Sequence, residues 1–394
     1  MAALNFENTQ TAFAYKNNKE LIRDYQIFRI INQGWLVKWG TSMASGLINA
    51  GIKTPVAIGM RPTVYAVFCG GDDLQQTTRK IDKLYKYKVK CILDYRVEGK
   101  ESEADFARTE KAIKEAILFA AKNDAVDIVS SKFTGLIPFS VLEKLHAKQD
   151  LTKDEQEIYR KSKDRIYSIS KLAYDNNVSL FVDAEESWIQ QPLDDLTFEL
   201  MQQFNREKPI IYNTFQLYRK DRLAYFKQEV QRANQEGIIY AAKLVRGAYM
   251  EKEADRAKAF NYENPIQRSK ENTDNDYNAA LQFAIENIST VAVCVATHNE
   301  QSTVLATTLM EQNNIPKNHP NIHFSQLFGM SDQITFNLAA EGYNAGKYMP
   351  YGPVKDVIPY LIRRAQENTS VAGQMGRELK LLKQEVKRRK LFAF

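Results

Sequence analysis

From about residue 88 onward, short apolar runs alternate with longer amphipathic stretches. The runs are Val89–Tyr95, Val126–Phe133, Val178–Asp183, Ile210–Phe215, Ile238–Val245, Val291–Thr297, Asn321–Leu327 and a short one near Lys347–Met349. Each has strand length, and charged, helix-period segments separate most of them. Strands alternating with helices predict a parallel sheet with crossover helices. Eight is the number that closes such a sheet, so the fold class read here is α/β, a (β/α)8 TIM barrel. A doubly wound open sheet is the alternative, but no GxGxxG follows any of the runs. Residues 7 to about 39 read as helix, with Leu21, Tyr25, Phe28, Ile31 and Trp35 on one stripe and Ile22 and Ile27 beside it. Asp72 to Lys86 and residues 373–391 read as further helices. The expected organisation is a helical N-terminal region over 1–85, a barrel over 86–372 and a C-terminal helix over 373–394.

Composition narrows the class. The 394 residues are 44% hydrophobic and 26% charged, enough for a large core and unlike a disordered chain. Net charge is +6, a weak excess of 54 basic over 48 acidic groups. Its local concentration matters more: Lys380, Lys383, Lys387, Arg388, Arg389 and Lys390 crowd the last helix. That run reads as a solvated face or as a surface for anionic lipid or a partner. Cys69, Cys91 and Cys294 make no CxxC pair and no metal spacing, which fits a reducing compartment. No apolar run of about 20 residues spans a membrane. The first residues resemble neither a signal peptide nor an Arg-rich transit peptide. The expected location is cytoplasmic, with peripheral contact to an inner membrane left open.

The strand ends carry the candidate chemistry, because the polar residues of such barrels gather at strand C-termini. Here the ends read Asp94-Tyr95-Arg96-Val97-Glu98, Ser130-Ser131-Lys132, Asp183-Ala184-Glu185-Glu186, Asn213-Thr214-Phe215-Gln216, Lys243-Leu244-Val245-Arg246-Gly247-Ala248-Tyr249, Thr297-His298-Asn299 and Gln326. Near the C-terminus, Asp356 is expected to cap a helix with Pro359 in its first turn. Tyr360, Arg363, Arg364 and Glu367 then share one helix face, opposite Val357, Ile358, Leu361, Ile362 and Ala365. Two adjacent guanidiniums suit a carboxylate, since each offers a planar fork of donors; the same pattern also describes an ordinary solvated face. His298 has no His or Cys neighbour, so no metal is expected. Ser130 and Ser131 lack a GxSxG setting. These residues describe a site for a large anionic cofactor and a small carboxylate, without naming either.

Six segments carry a resemblance: Asp-Ala-Glu (183–185), Asn-Thr-Phe-Gln-Leu-Tyr (213–218), Lys-Leu-Val-Arg-Gly-Ala-Tyr (243–249), Thr-His-Asn (297–299), Gln-Leu-Phe-Gly-Met (326–330), and Tyr-Gly-Pro-Val through Pro-Tyr-Leu-Ile-Arg-Arg-Ala-Gln-Glu-Asn (351–368). In this order they make the chain resemble the proline dehydrogenase family, in particular the monofunctional branch that includes the mitochondrial enzymes. The resemblance implies a distorted (β/α)8 barrel holding FAD non-covalently at the strand ends. It implies oxidation of L-proline to Δ1-pyrroline-5-carboxylate, with electrons passing to a membrane quinone and no role for nucleic acid. By position, Lys132, Tyr348, Tyr360, Arg363 and Arg364 would contact proline, the two arginines holding its carboxylate, with Asp94 and Glu98 pairing with those arginines. Ala184, Gln216, Arg246, Gly247, Ala248, Tyr249, Thr297, His298, Asn299, Gln326 and Glu367 would line FAD. Asp183 and Lys243 would stand against the isoalloxazine as the catalytic pair.

The chain departs from the family pattern in places. Several bacterial members carry Arg where Lys243 stands and Lys where Arg246 stands, which keeps charge but changes donor geometry. Some carry His in place of Phe328. Residues 147–160 lack the D-x-[DN]-x-[DN]-G pattern, so no calcium site is expected. The competing readings are 4-hydroxyproline dehydrogenase, a Schiff-base aldolase using Lys132 or Lys243, and a carboxylate-binding protein without turnover. Tyr348 favours proline over its hydroxylated relative, since it stands where a ring hydroxyl would need room.

Overall fold

A computed structural model describes residues 4–33, 46, 53–96, 101–370 and 374–391, with backbone alone at 53, 363–370 and 374–375. Eight strands are present: β1 Lys90–Tyr95, β2 Val126–Ser131, β3 Ser179–Val182, β4 Ile211–Gln216, β5 Tyr240–Val245, β6 Val291–Ala296, β7 Ile322–Leu327 and β8 Ala345–Tyr351. They form a closed barrel in sequence order. Helices follow the strands, as the alternation of periods requires: Glu103–Ala120 after β1, Lys153–Asp175 after β2, Ser187–Phe204 after β3 and Arg222–Glu236 after β4. All eight expected strands exist. Their ends move by no more than two residues, because the last apolar residue of a run often lies beyond the last ladder bond.

The chain divides into two compact units, residues 99–325 and residues 1–98 with 326–394. In the first of these, β2 to β6 pair in parallel, each with the next. Ser130 stands opposite Phe181, Thr214 opposite Lys243, and Lys243 opposite Cys294. In the other unit β1 pairs in parallel with β8, Ile92 opposite Tyr348.

Three expectations are corrected. The helix read over 7–39 is two helices within the described residues, Thr9–Ala12 and Asn18–Ile31. Asn17 starts the second with a capping box: its side chain accepts from the Glu20 N–H, and Glu20 accepts from the Asn17 N–H. β8 covers Ala345–Tyr351 rather than Lys347–Met349, and all seven residues are buried. Lys347 and Pro350 hide this strand from a hydrophobicity reading. The helix expected to be capped by Asp356 runs Val354–Ser370, so Pro359 lies in its interior. Asp356 donates its N–H to the Pro353 carbonyl at 2.8 Å, one turn earlier than expected. Residues 53–60 form a helix that the sequence reading missed.

The N-terminal and C-terminal segments share one apolar core. Phe13, Leu21, Phe28 and Ile31 pack in a cluster with Val357, Tyr360, Leu361, Leu381 and Val386. Tyr360 is therefore buried, 2% exposed, and not part of a solvated helix face. Cys69, Cys91 and Cys294 are all buried, where a cysteine behaves as a small hydrophobe. No helix among the described residues is long and apolar enough to cross a membrane.

Candidate active site

In the unit of residues 99–325, the polar residues that end β2, β3 and β5 meet one another. Asp183 follows the last residue of β3, and Lys243 lies within β5. Their side chains form an ion pair, and Ser130 of β2 donates to the same Asp183 carboxylate at 2.9 Å. Both charges are buried, Lys243 5% and Asp183 8% exposed. A lysine this deep is tolerated because a carboxylate offsets its desolvation. The ring of Phe181, the β3 residue beside Lys243, stands 5.5 Å from the ammonium.

A second group lies next to it. Lys132 donates to Glu185 at 2.8 Å and to the Tyr249 hydroxyl at 2.7 Å, while Tyr249 itself donates to Glu185 at 2.6 Å. Thr134 donates to the other Glu185 oxygen, also at 2.6 Å. Gln216 of β4 joins two loops: its amide donates to the Glu185 carbonyl at 2.7 Å, and its oxygen accepts from the Ala248 N–H at 3.1 Å. Ala184 is buried between Asp183 and Glu185 in sequence.

After β5 the chain turns at Gly247, with φ +147°, where a Cβ would lie 2.5 Å from the Tyr218 ring. Only glycine fits that close approach. Arg246, just before the turn, donates from its guanidinium to Asp274 at 2.6 Å, Thr297 at 2.7 Å and Ser302 at 3.0 Å. Tyr277 lies under it, 4.4 Å from ring centre to guanidinium carbon. Burial opposes ionisation of Asp274, but Lys270 and Arg246 prevail and hold its carboxyl below the ordinary value. Asn299 caps the helix Glu300–Gln312 by accepting from the Ser302 N–H, and its own N–H donates to Thr297 at 3.1 Å. His298 stands between Thr297 and Asn299, partly exposed. The β5 and β6 ends thus present cations and hydroxyl, amide and imidazole groups side by side.

In the other unit, β1 and β8 hold a different group. Asp94 pairs with Arg96, and Arg96 donates to the Tyr348 hydroxyl at 3.2 Å. The guanidinium also faces two rings, 5.9 Å from Tyr348 and 5.6 Å from Tyr360. All four residues are buried. Gln326 accepts from Thr335 at 2.7 Å. The Phe328 ring lies 5.2 Å from the Lys80 ammonium. Arg363, Arg364 and Glu367 lie on the helix Val354–Ser370, with side chains outside the described set; Glu98 lies outside the described residues.

Sequence reasoning assigned no role to Glu185, Arg96 or Asp274. Glu185 and Arg96 stand in the strand-end segments, so position alone flagged them. Asp274 lies in the helix Lys270–Glu286, where nothing in the local pattern marks it.

A closed parallel barrel whose strand ends gather buried ion pairs, a glycine turn and a row of donors is a (β/α)8-barrel enzyme, with its chemistry at the strand C-termini. Residues 77–377 match the family model described as proline dehydrogenase. Proline dehydrogenase 1, mitochondrial, of Dictyostelium discoideum is 32% identical, over 97% of this chain and 74% of that protein. Hydroxyproline dehydrogenase of Xenopus laevis is 31% identical, over 96% of this chain and 88% of its own length. Among solved structures, proline utilization A from Bdellovibrio bacteriovorus aligns with a TM-score of 0.73 at 21% identity, over 97% of this chain. The chain spans 42% of that much longer protein, and the likeness bears on the fold. The chain belongs to the proline dehydrogenase family and is an enzyme of that family. The expected kinship with the mitochondrial-type members is borne out by the Dictyostelium relative.

Proposed function

We propose that the chain oxidises L-proline to Δ1-pyrroline-5-carboxylate, using non-covalently bound FAD and passing the electrons to a quinone. The observation that carries this reading is the buried Asp183–Lys243 pair at the ends of β3 and β5, with Arg246 beside the Gly247 turn. FAD, when bound, supplies the hydride acceptor. The donor set fits such a group: Arg246, Thr297, His298 and Asn299 gather around adjacent strand ends and suit a pyrophosphate, with the amide of Gln216 close to the same turn. Ala184, Gly247, Ala248, Tyr249, Gln326 and Glu367 complete the cofactor residues proposed. Lys243 places a fixed cation where negative charge would develop, and Asp183 with Ser130 orients it.

For the substrate, Arg363 and Arg364 hold the carboxylate, with Asp94 and Glu98 as their supporting acids. Lys132, Tyr348 and Tyr360 complete the contacts. The likeness to hydroxyproline dehydrogenase favours 4-hydroxyproline as a second reading. Arg96 supports proline, because it fixes Tyr348 by both a hydrogen bond and a ring contact. The basic residues 380, 383, 387, 388 and 390 are exposed and offer a face for peripheral contact with an anionic membrane.

The test is optical. The purified protein is expected to be yellow and to bleach anaerobically on adding L-proline, more readily than with 4-hydroxyproline. Dye or quinone reduction is expected without formation of NADH. A protein that stays colourless and inactive after FAD is supplied would remove the flavin assignment; preferential turnover of 4-hydroxyproline would replace the substrate.

A further inference from the structure

We infer that Glu185 is a positioning residue that sets Lys132 for the substrate and holds Tyr249 of the cofactor-side turn in place; this rests on the reading of the site as that of a proline-oxidising enzyme. Glu185 is 3% exposed and is held at every polar group it has. Its N–H donates to Gln190 and its carbonyl accepts from Gln216, both at 2.7 Å. One carboxylate oxygen accepts from Thr134, and the other accepts from both Lys132 and Tyr249. The supports have supports of their own. Gln190 donates to Asp194 at 2.8 Å, and Asp194 is locked by Arg222 at 2.6 Å and by Asn213 at 2.9 Å. A side chain fixed at backbone and carboxylate alike is built as a reference point, as positioning groups need to be.

The geometry determines what Lys132 and Tyr249 have left to offer. An ammonium has three N–H donors. Lys132 gives one to Glu185 and one to the Tyr249 oxygen. The third has a direction fixed by the other two, and the Lys132 side chain is 23% exposed, which leaves this donor accessible to a bound substrate. Tyr249 turns its hydroxyl proton to Glu185 and its lone pair to Lys132, which fixes the hydroxyl orientation. Tyr249 also directly follows the Gly247-Ala248 turn, which Gln216 ties back to the Glu185 carbonyl. Glu185 therefore aligns one strand-end cation and the cofactor-side turn together. Its charge is needed as well as its shape: an amide in its place offers one acceptor oxygen for three donors.

The experiment compares wild type, Glu185→Gln and Thr134→Val as flavin-loaded proteins. Three readouts are used: the steady-state constants for L-proline, the flavin-to-protein ratio, and the rate at which Lys132 is acetylated by acetic anhydride, followed by peptide mass. Glu185→Gln is expected to raise KM by about 10- to 100-fold, as for loss of an aligned charge-assisted contact, with kcat reduced by less. Its flavin content is expected to stay near wild type, and Lys132 to be acetylated at least 3-fold faster because the carboxylate no longer occupies it. Thr134→Val removes one of the three holds and is expected to shift KM by about 3-fold, in the same direction. It carries the test if Glu185→Gln does not fold. Unchanged KM and unchanged Lys132 labelling in a folded variant overturn the proposal. So does a loss of thermal stability with no change in KM, which makes Glu185 a fold residue. If wild type turns over neither proline nor 4-hydroxyproline, the functional reading fails, and the labelling rate still decides whether Glu185 governs Lys132.

Discussion

Asp183 and Lys243 are 60 residues apart and meet through a regular strand–helix repeat, whereas Lys16, Asp332 and Lys347 bring the N-terminal segment against β8. Both groups are buried, and both set ammonium against carboxylate. The first stands where β3 and β5 end, among partly exposed residues such as Lys132 and His298. The second is closed. Lys347 is 0% and Asp332 2% exposed, and their 2.8 Å pair is joined by Lys16 at 3.0 Å from Asp332 and 2.6 Å from Asp24. Tyr15 also donates to Asp332 at 2.8 Å. Burial would raise the Asp332 carboxyl, but Lys16 and Lys347 outweigh it and hold it at about 2. A cluster with no open side has nothing to bind, so it specifies which segments pack together. A cluster at the strand ends of a barrel can act on a ligand. Under the proposed function, the same pairing of charges serves the fold in one place and the chemistry in the other, and depth and position distinguish them.

Breaking each cluster in turn tests that contrast. The largest effect is expected from Lys347→Met. It strips Asp332 of one of its two ammonium partners, and removing one member of a buried pair costs about 3–5 kcal/mol. Urea unfolding is expected to show that loss, while L-proline KM stays within about 3-fold for the molecules that remain folded. A stability within about 1 kcal/mol of wild type would mean that Lys16 alone compensates Asp332. Next come Arg363→Ala and Arg364→Ala. Each is expected to weaken substrate binding by roughly 30- to 1000-fold, about 2–4 kcal/mol, with flavin content near normal. A normal Michaelis constant in both variants would return that helix to an ordinary surface role. Lys243→Met is expected to lower the rate of flavin reduction by about 10- to 1000-fold, roughly 1.4–4 kcal/mol, while binding of a non-reacting proline analogue changes much less. Stopped-flow reduction alongside analogue titration separates the two. Weakened analogue binding at an unchanged reduction rate would move Lys243 from the flavin to the substrate.

The contrast also explains what the sequence made legible. Ser130, Asp183 and Lys243 lie at strand ends, and a strand end is visible as the point where an apolar run turns polar. Seven of the eight runs were found at nearly full length for that reason. β8 was cut short because Lys347 interrupts its apolar run, and the partner that allows a buried lysine there, Asp332, lies in a helix with no matching pattern. Arg246 could be read as a ligand of something, yet Asp274, 28 residues away, could not be read as its partner. Glu185 was visible as one polar residue among several. Its rank depends on contacts with Thr134, Lys132 and Tyr249, which lie 51 to 64 positions away. Periodicity reports which face of an element is buried. It carries no information about which of two neighbouring carboxylates a distant lysine will choose.

An effect that depends on pH is expected at Glu378, another member of the closed cluster. Glu378 comes from the C-terminal helix and accepts the Ser331 N–H. Burial pushes its carboxyl up to about 7, and nearby Asp332 adds to the rise against the opposing pull of Lys347 and Lys16. The ordinary value is 4.5, so the folded chain keeps a proton that the unfolded chain releases. Below about pH 4.5 both states hold the proton and nothing is gained or lost. Between 4.5 and about 7 the folded state binds more protons, so its stability falls as pH rises through that window. Above about 7 the loss levels off, at about 3 kcal/mol for a shift of this size. Glu378→Gln has no proton to release, and its amide oxygen still accepts from Ser331. The variant is therefore expected to match wild type near pH 4.5 and to exceed its stability increasingly up to pH 8. Histidines titrate in the same range but are common to both proteins, so the difference between the two urea curves isolates Glu378. Asp332, held at about 2, is ionised throughout the window and does not contribute. If the stability difference stays constant from pH 5 to pH 8, Glu378 is charged in the folded chain. The closed cluster would then tolerate a net negative charge, and its contrast with the strand-end cluster would narrow to position alone.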